Sequence, residues 1–71
     1  MSTSPAAPPR ILLLGAQGQL GRELQRALQP AGVVSACART PAVDIDHVLD
    51  LNDGDALDAL LADLRPQIIV N

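Results

Sequence analysis

The sequence predicts an α/β fold, a parallel sheet assembled from strand–helix–strand units. Three observations carry that expectation. The aliphatic run Ile11-Leu12-Leu13-Leu14 leads into glycines and then into helical periodicity, as a doubly buried strand and its crossover helix read. Extended and helical patterns alternate through the rest of the chain. Proline stands at the end of each helical stretch, at Pro30 and at Pro66, where a helix stops.

Residues 1–9 hold three prolines among small and polar residues. They bury too little to offset their ordering entropy and are expected to form a disordered leader. Arg10 to Leu14 is the first strand. From Gln19 the apolar positions Leu20, Leu24, Ala27 and Leu28 trace one stripe of an amphipathic helix, with a Glu23–Arg26 pair on its outer side. Val33 to Cys37 is the second strand, with Cys37 as a small core residue. Ala38 to Asp46 is a loop, and His47 to Asp50 a short third strand.

Asn52 is the expected N-cap of a second helix, with Asp55 at the third position of a capping box. Leu57, Leu60, Leu61 and Leu64 form its apolar stripe. Gln67 to Asn71 is a further buried strand. The first strand should be central, flanked by the second and the last. Because the chain stops on that last apolar strand, residues 10–71 are expected to be the N-terminal part of a larger, truncated α/β domain.

Composition narrows the function. The 71 residues carry a net charge of −3, one Cys and no aromatic side chain. The five basic residues are scattered arginines, so there is no basic face for nucleic acid. No apolar run approaches the ~20 residues of a membrane span, and the leader lacks the features of a signal peptide. A cytoplasmic chain is expected. Cys37 is alone, which excludes an intrachain disulfide, and no Cys/His cluster has metal-ligand spacing. Asp44, Asp46 and His47 read as ordinary surface groups.

The glycines carry the chemistry. Gly15, Gly18 and Gly21 follow a strand and open a helix, which points free N–H groups and a positive dipole end at the turn. That arrangement suits a phosphate. The spacing is G-x-x-G-x-x-G, close to the Rossmann-type G-x-G-x-x-G. Gly15 would make the turn, Gly18 would admit a pyrophosphate and Gly21 would let helix and strand pack closely. A tight turn that serves packing alone is the alternative. The absence of Lys-Ser/Thr after the glycines excludes a P-loop.

At the end of the second strand, Cys37-Ala38-Arg39-Thr40 has no acid for a ribose 2′-hydroxyl. Arg39 instead suits a 2′-phosphate, which points to NADPH, with NADH as the second candidate. The Asp50 carboxylate is a candidate partner for an adenine amino group, with Leu51 packing on the ring. A role for Asp50 in the turn or the helix entry is the alternative.

Together these residues resemble a known family. Leu13-Leu14-Gly15-Ala16-Gln17-Gly18-Gln19-Leu20-Gly21-Arg22-Glu23-Leu24 is similar to the opening of the extended short-chain dehydrogenases, and within them of the dTDP-4-dehydrorhamnose reductases. Asp50-Leu51-Asn52-Asp53 and Leu64-Arg65-Pro66-Gln67-Ile68-Ile69-Val70-Asn71 resemble later segments of that family.

The resemblance implies NAD(P)H-dependent reduction of the 4-keto group of a dTDP-linked deoxysugar. It places Gly18, Gln19 and Leu20 at the pyrophosphate, and Asp50 and Leu51 at the adenine. It also implies a Mg²⁺ site and a homodimer in the complete protein. The family's catalytic Tyr-x-x-x-Lys cannot come from this chain, which has neither Tyr nor Lys. Two alternatives stay open: a sugar-nucleotide epimerase or dehydratase of the same superfamily, and a non-catalytic NADP-binding regulatory subunit.

Overall fold

The computed structural model describes residues 7–71. Its elements are β1 (Arg10–Leu14), α1 (Gly18–Leu28), β2 (Val33–Ala38), β3 (His47–Val48), α2 (Gly54–Leu64) and β4 (Ile68–Val70). A single 3₁₀ turn, Gln29–Ala31, with Pro30 inside it, closes the end of α1. The strands form one four-stranded sheet in the order β3-β2-β1-β4, and every pairing is parallel. The α/β class and the central position of β1 are as expected.

Register follows from alternation along β1. Leu12 pairs with Ser35 and Ile69, and Leu13 with Ala36 and Val70. Successive side chains on a strand point to opposite faces, so these two leucines feed two separate cores. Leu12, Cys37 and Leu49 pack against Leu57, Leu60, Leu61 and Leu64 of α2. Leu13, Ala16 and Ala36 pack against Leu24 and Leu28 of α1, with Ile45 and Val70 alongside. One helix thus covers each face of the sheet. With no aromatic residue in the sequence, both cores are filled by aliphatic and small side chains.

Four local expectations are corrected. The cap of α2 is Asp53, not Asn52: its Oδ1 accepts the Ala56 N–H at 3.1 Å, and Asp55 falls inside the first turn. The shift has a cause one turn earlier. Asp50 Oδ1 accepts the Asn52 N–H at 2.9 Å and Asp50 O accepts the Asp53 N–H at 2.9 Å. Asn52 is therefore held in a turn and the helix starts one residue later.

The third strand is two residues long rather than four, because Leu49 turns into the core and Asp50 enters that turn. β4 is not buried in this chain: Ile68 is 45% and Ile69 51% exposed. The Glu23–Arg26 pair does not form. The ion pair among the described residues is Arg22 Nε to Asp44 Oδ2 at 3.2 Å.

Of the expected leader, residues 1–6 lie outside the described residues. Pro9 O accepts the Val33 N–H at 2.9 Å, which ties the approach to β1 onto β2. At the far end, Arg65 closes α2 in the left-handed region (φ 46°). Its carbonyl accepts Arg10 Nε at 2.8 Å, and Gln67 exchanges hydrogen bonds with the Arg10 backbone. The end of α2 is thereby fixed to the start of β1. Among the described residues, no helix is long and apolar enough to cross a membrane.

Candidate functional site

The candidate site lies where β1 and β2 end side by side. The pairing of these strands continues past Leu14, for the Ala16 N–H donates to Cys37 O at 3.0 Å. That bond sets the glycine turn against the end of β2. Gly15 (φ 66°) and Gly18 (φ 78°) both adopt the left-handed backbone, which an L side chain takes up only at a cost. A Cβ on either would meet nothing within 4 Å, so the space above the turn is open. Gly21 serves the opposite purpose. It is the buried residue of α1 and lies directly on the Ala16 backbone.

The two helix N-termini differ in a way that matters for a ligand. In α2 the Asp53 side chain caps the first turn, and Asp55 adds negative charge there. In α1 the cap residue Gln17 makes no side-chain cap bond, and no acid stands in the first turn. The leading N–H groups of α1 are left without a side-chain partner beside a turn with open space. This is what a bound phosphate requires.

A cavity of about 100 Å³ adjoins the turn, lined by Gly15, Gln17, Cys37, Ala38, Arg39, Leu49 and Leu51. Of the candidate residues, the structure therefore brings together Gly15, Arg39 and Leu51. Gly18, Gln19 and Leu20 follow in the turn and first turn of α1, all exposed, with Leu20 at 70%. Asp50 is exposed outside the cavity lining, and its Oδ1 is engaged by Asn52. Arg39 is exposed at the cavity and makes no ion pair among the described residues.

Besides the Arg22–Asp44 ion pair, two contacts shape the loop after β2, and neither has a sequence signature. The Gln17 side-chain amide donates to the Thr40 hydroxyl, joining the glycine turn to the residue after Arg39. Asp46 clamps Ala36, accepting its N–H on Oδ2 at 2.7 Å while the Asp46 N–H donates to Ala36 O at 2.9 Å. Cys37 is buried beneath the cavity, and burial raises its thiol pKa above the ordinary value. Its pairing with the backbone of the turn is structural, and among the described residues no His/Cys/Asp/Glu group could hold a metal.

A parallel sheet with a strand–glycine turn–helix at its carboxyl edge defines a Rossmann-type segment. The chain belongs to the RmlD substrate binding domain family, whose model matches residues 9–71. It is 41% identical over 68 residues to a dTDP-4-dehydrorhamnose reductase of Streptomyces griseus, an alignment covering 96% of this chain and 20% of that protein.

It is also similar to formate-dependent phosphoribosylglycinamide formyltransferases. Identity is 46% over 74 residues in Stutzerimonas stutzeri (strain A1501), covering 94% of this chain and 18% of that protein. It is 41% over 68 residues in Erwinia tasmaniensis, covering 86% and 17%. The chain spans about a fifth of the length of these curated relatives. No solved structure matches it.

Proposed function

We propose that this chain is the cofactor-binding segment of an NADPH-dependent dTDP-4-dehydrorhamnose reductase. That enzyme would reduce dTDP-4-dehydro-6-deoxy-L-mannose to dTDP-L-rhamnose. The observation that carries the reading is the uncapped N-terminus of α1 standing over an open glycine turn, with the Arg39 cavity beside it. The family match and the Streptomyces griseus relative support a reductase of this kind.

Bound there, NADPH supplies the hydride. The chain's own residues bind and orient. The leading N–H groups of α1, from Gly18 through Leu20, hold the pyrophosphate, and Gly15 and Gly18 let it approach the backbone. Gly21 keeps α1 seated so that those groups stay aimed. Arg39 pairs with the 2′-phosphate. Leu51, 43% exposed at the cavity, packs on the adenine, and Asp50, its neighbour in sequence but outside the cavity lining, is the candidate for the amino group. NADH is the weaker ligand, because no lining residue of the cavity is an acid. The proton donor and its lysine come from outside these residues, as do any Mg²⁺ ligands, the dTDP-sugar contacts and a homodimer surface. Such an enzyme works in the cytoplasm.

The test is NADPH oxidation by the protein that carries this segment, with dTDP-4-dehydro-6-deoxy-L-mannose as substrate. Turnover supports the reading, and its absence sinks it. A second reading, favoured by the 46% identity to the Stutzerimonas stutzeri protein, makes the chain a segment of a formate-dependent phosphoribosylglycinamide formyltransferase. Formate-dependent formylation without NADPH oxidation would establish that one instead.

A further inference from the structure

A second cavity, of about 210 Å³, lies between α1 and the loop that leads to β3. It shares no lining residue with the cavity beside the glycine turn. Its walls are polar: Arg22, Gln25, Arg26 and Gln29 from α1, and Asp44 from the loop. The helical residues stand at i, i+3, i+4 and i+7, so one face of α1 presents them together. Their charges are unbalanced. Arg22 Nε donates to Asp44 Oδ2 at 3.2 Å, which leaves the terminal nitrogens of Arg22 without a partner among the described residues. Arg26 makes no ion pair among the described residues. Two guanidinium groups one helical turn apart repel each other, and a single carboxylate answers both. Gln25 adds a third unmet donor, for its Nε2 is buried with no hydrogen-bond partner among the described residues. That is a standing cost.

What meets all three donors is a pair of acceptor oxygens carrying one negative charge. An arginine fork matches the two oxygens of a carboxylate, and one such charge cancels the single positive excess of the walls. A phosphate dianion would bring a further charge up to Asp44 and leave the cavity negative. The Gln29 side-chain oxygen and Asp44 Oδ1 are acceptors, so the ligand carries hydroxyl groups beyond its carboxylate. The volume is below the ~300 Å³ of a drug-sized site, which calls for a small molecule.

We propose that this cavity binds a small hydroxycarboxylate. Arg26 and the terminal nitrogens of Arg22 hold the carboxylate, the Gln25 amide turns to donate to it, and Asp44 receives a ligand hydroxyl. The site is separate from the cofactor cavity and does not depend on the cofactor reading.

The test is calorimetric titration of the full chain with glycerate, glycerol and inorganic phosphate, at low ionic strength where exposed charges are least screened. Glycerate should bind, phosphate should bind more weakly, and glycerol, which keeps the hydroxyls and lacks the carboxylate, should not bind. Arg26 is exposed, so its replacement leaves the fold standing. Arg26→Gln should weaken glycerate about tenfold, the loss of one charge-assisted hydrogen bond. Gln25→Glu, close to the same shape, sets a second carboxylate in the cavity and should abolish binding. Arg39→Gln, in the other cavity, should leave glycerate affinity within about twofold. In an isotopically labelled chain the Gln25 side-chain amide resonances should shift along the same binding curve. A wild-type chain that binds no glycerate overturns the proposal, as does glycerate affinity unchanged in Arg26→Gln and Gln25→Glu. Phosphate bound more tightly than glycerate overturns the carboxylate as ligand. Loss of glycerate binding in Arg39→Gln overturns the location and moves the ligand to the cofactor cavity.

Discussion

A Cβ added to Gly21 would lie 2.3 Å from both the carbonyl carbon and the carbonyl oxygen of Ala16. The first turn of α1 thus rests on main chain, which cannot rotate aside as a side chain can. Gly54, at the start of α2, has nothing within 4 Å of the same position. Gly21→Ala is expected to cost about 3 kcal/mol, the upper range for overpacking, whereas Gly54→Ala should be neutral or stabilise by up to ~1 kcal/mol. Urea midpoints of the two variants separate the cases. Equal midpoints would show that α1 does not sit on Ala16.

The helix start at Gly54 makes a second contrast. Asp53→Ala removes the side chain that accepts the Ala56 N–H and should cost about 1 kcal/mol. Asn52→Ala removes no cap and should stay within ~0.5 kcal/mol. Thermal melts of both variants read the difference. A larger loss in the Asn52 variant would restore Asn52 as the cap.

Cys37 gives the chain a clean alkaline response. Burial raises its thiol pKa in the fold above the ordinary value of about 9. Above that value the unfolded chain releases a proton that the folded chain keeps. The unfolded state then binds fewer protons, and stability falls as pH rises. The full contribution is present below pH 9 and is lost on the alkaline side. The sequence contains no Tyr and no Lys, so no other side chain titrates from 9 to 12. Denaturation midpoints should decline over that range in the wild-type chain and stay level in Cys37→Ala.

Arg39→Asp tests the cofactor reading from the charge side. Exchanging the guanidinium for a carboxylate removes a phosphate partner and supplies an acceptor for a ribose hydroxyl. The ratio of NADPH to NADH affinity should fall by about 100-fold. A ratio that does not move would remove Arg39 from the site.

What the sequence revealed and concealed has a physical pattern. β1 was readable to the residue because a doubly buried central strand is apolar without interruption. The turn was readable because positive φ at Gly15 and Gly18 is a demand that glycine meets. The start of α2 was not, since Asn52 and Asp53 are both competent caps. The Asp50–Asn52 turn decides between them, and that choice is made in space. The exposure of Ile68 and Ile69 was hidden too, because composition records how apolar a strand is but not what packs on it. Asp46 on Ala36 and Gln17 on Thr40 are contacts between distant positions of ordinary polar residues, and nothing local announces them.

The place of β1 in the middle of the sheet also sets an order in time. Ile11 meets Val34 across α1 alone, but meets Ile68 only near the end of the chain. Closing the longer loop costs roughly 0.8 kcal/mol more chain entropy than closing the shorter one. During synthesis the unit β1–α1–β2, carrying the glycine turn, is complete while the other edge of β1 still waits for β4. Unpaired backbone groups on a nascent strand invite the wrong neighbour. The arrangement that leaves Leu12 fully sealed in the finished fold exposes the same strand most while the chain is being made.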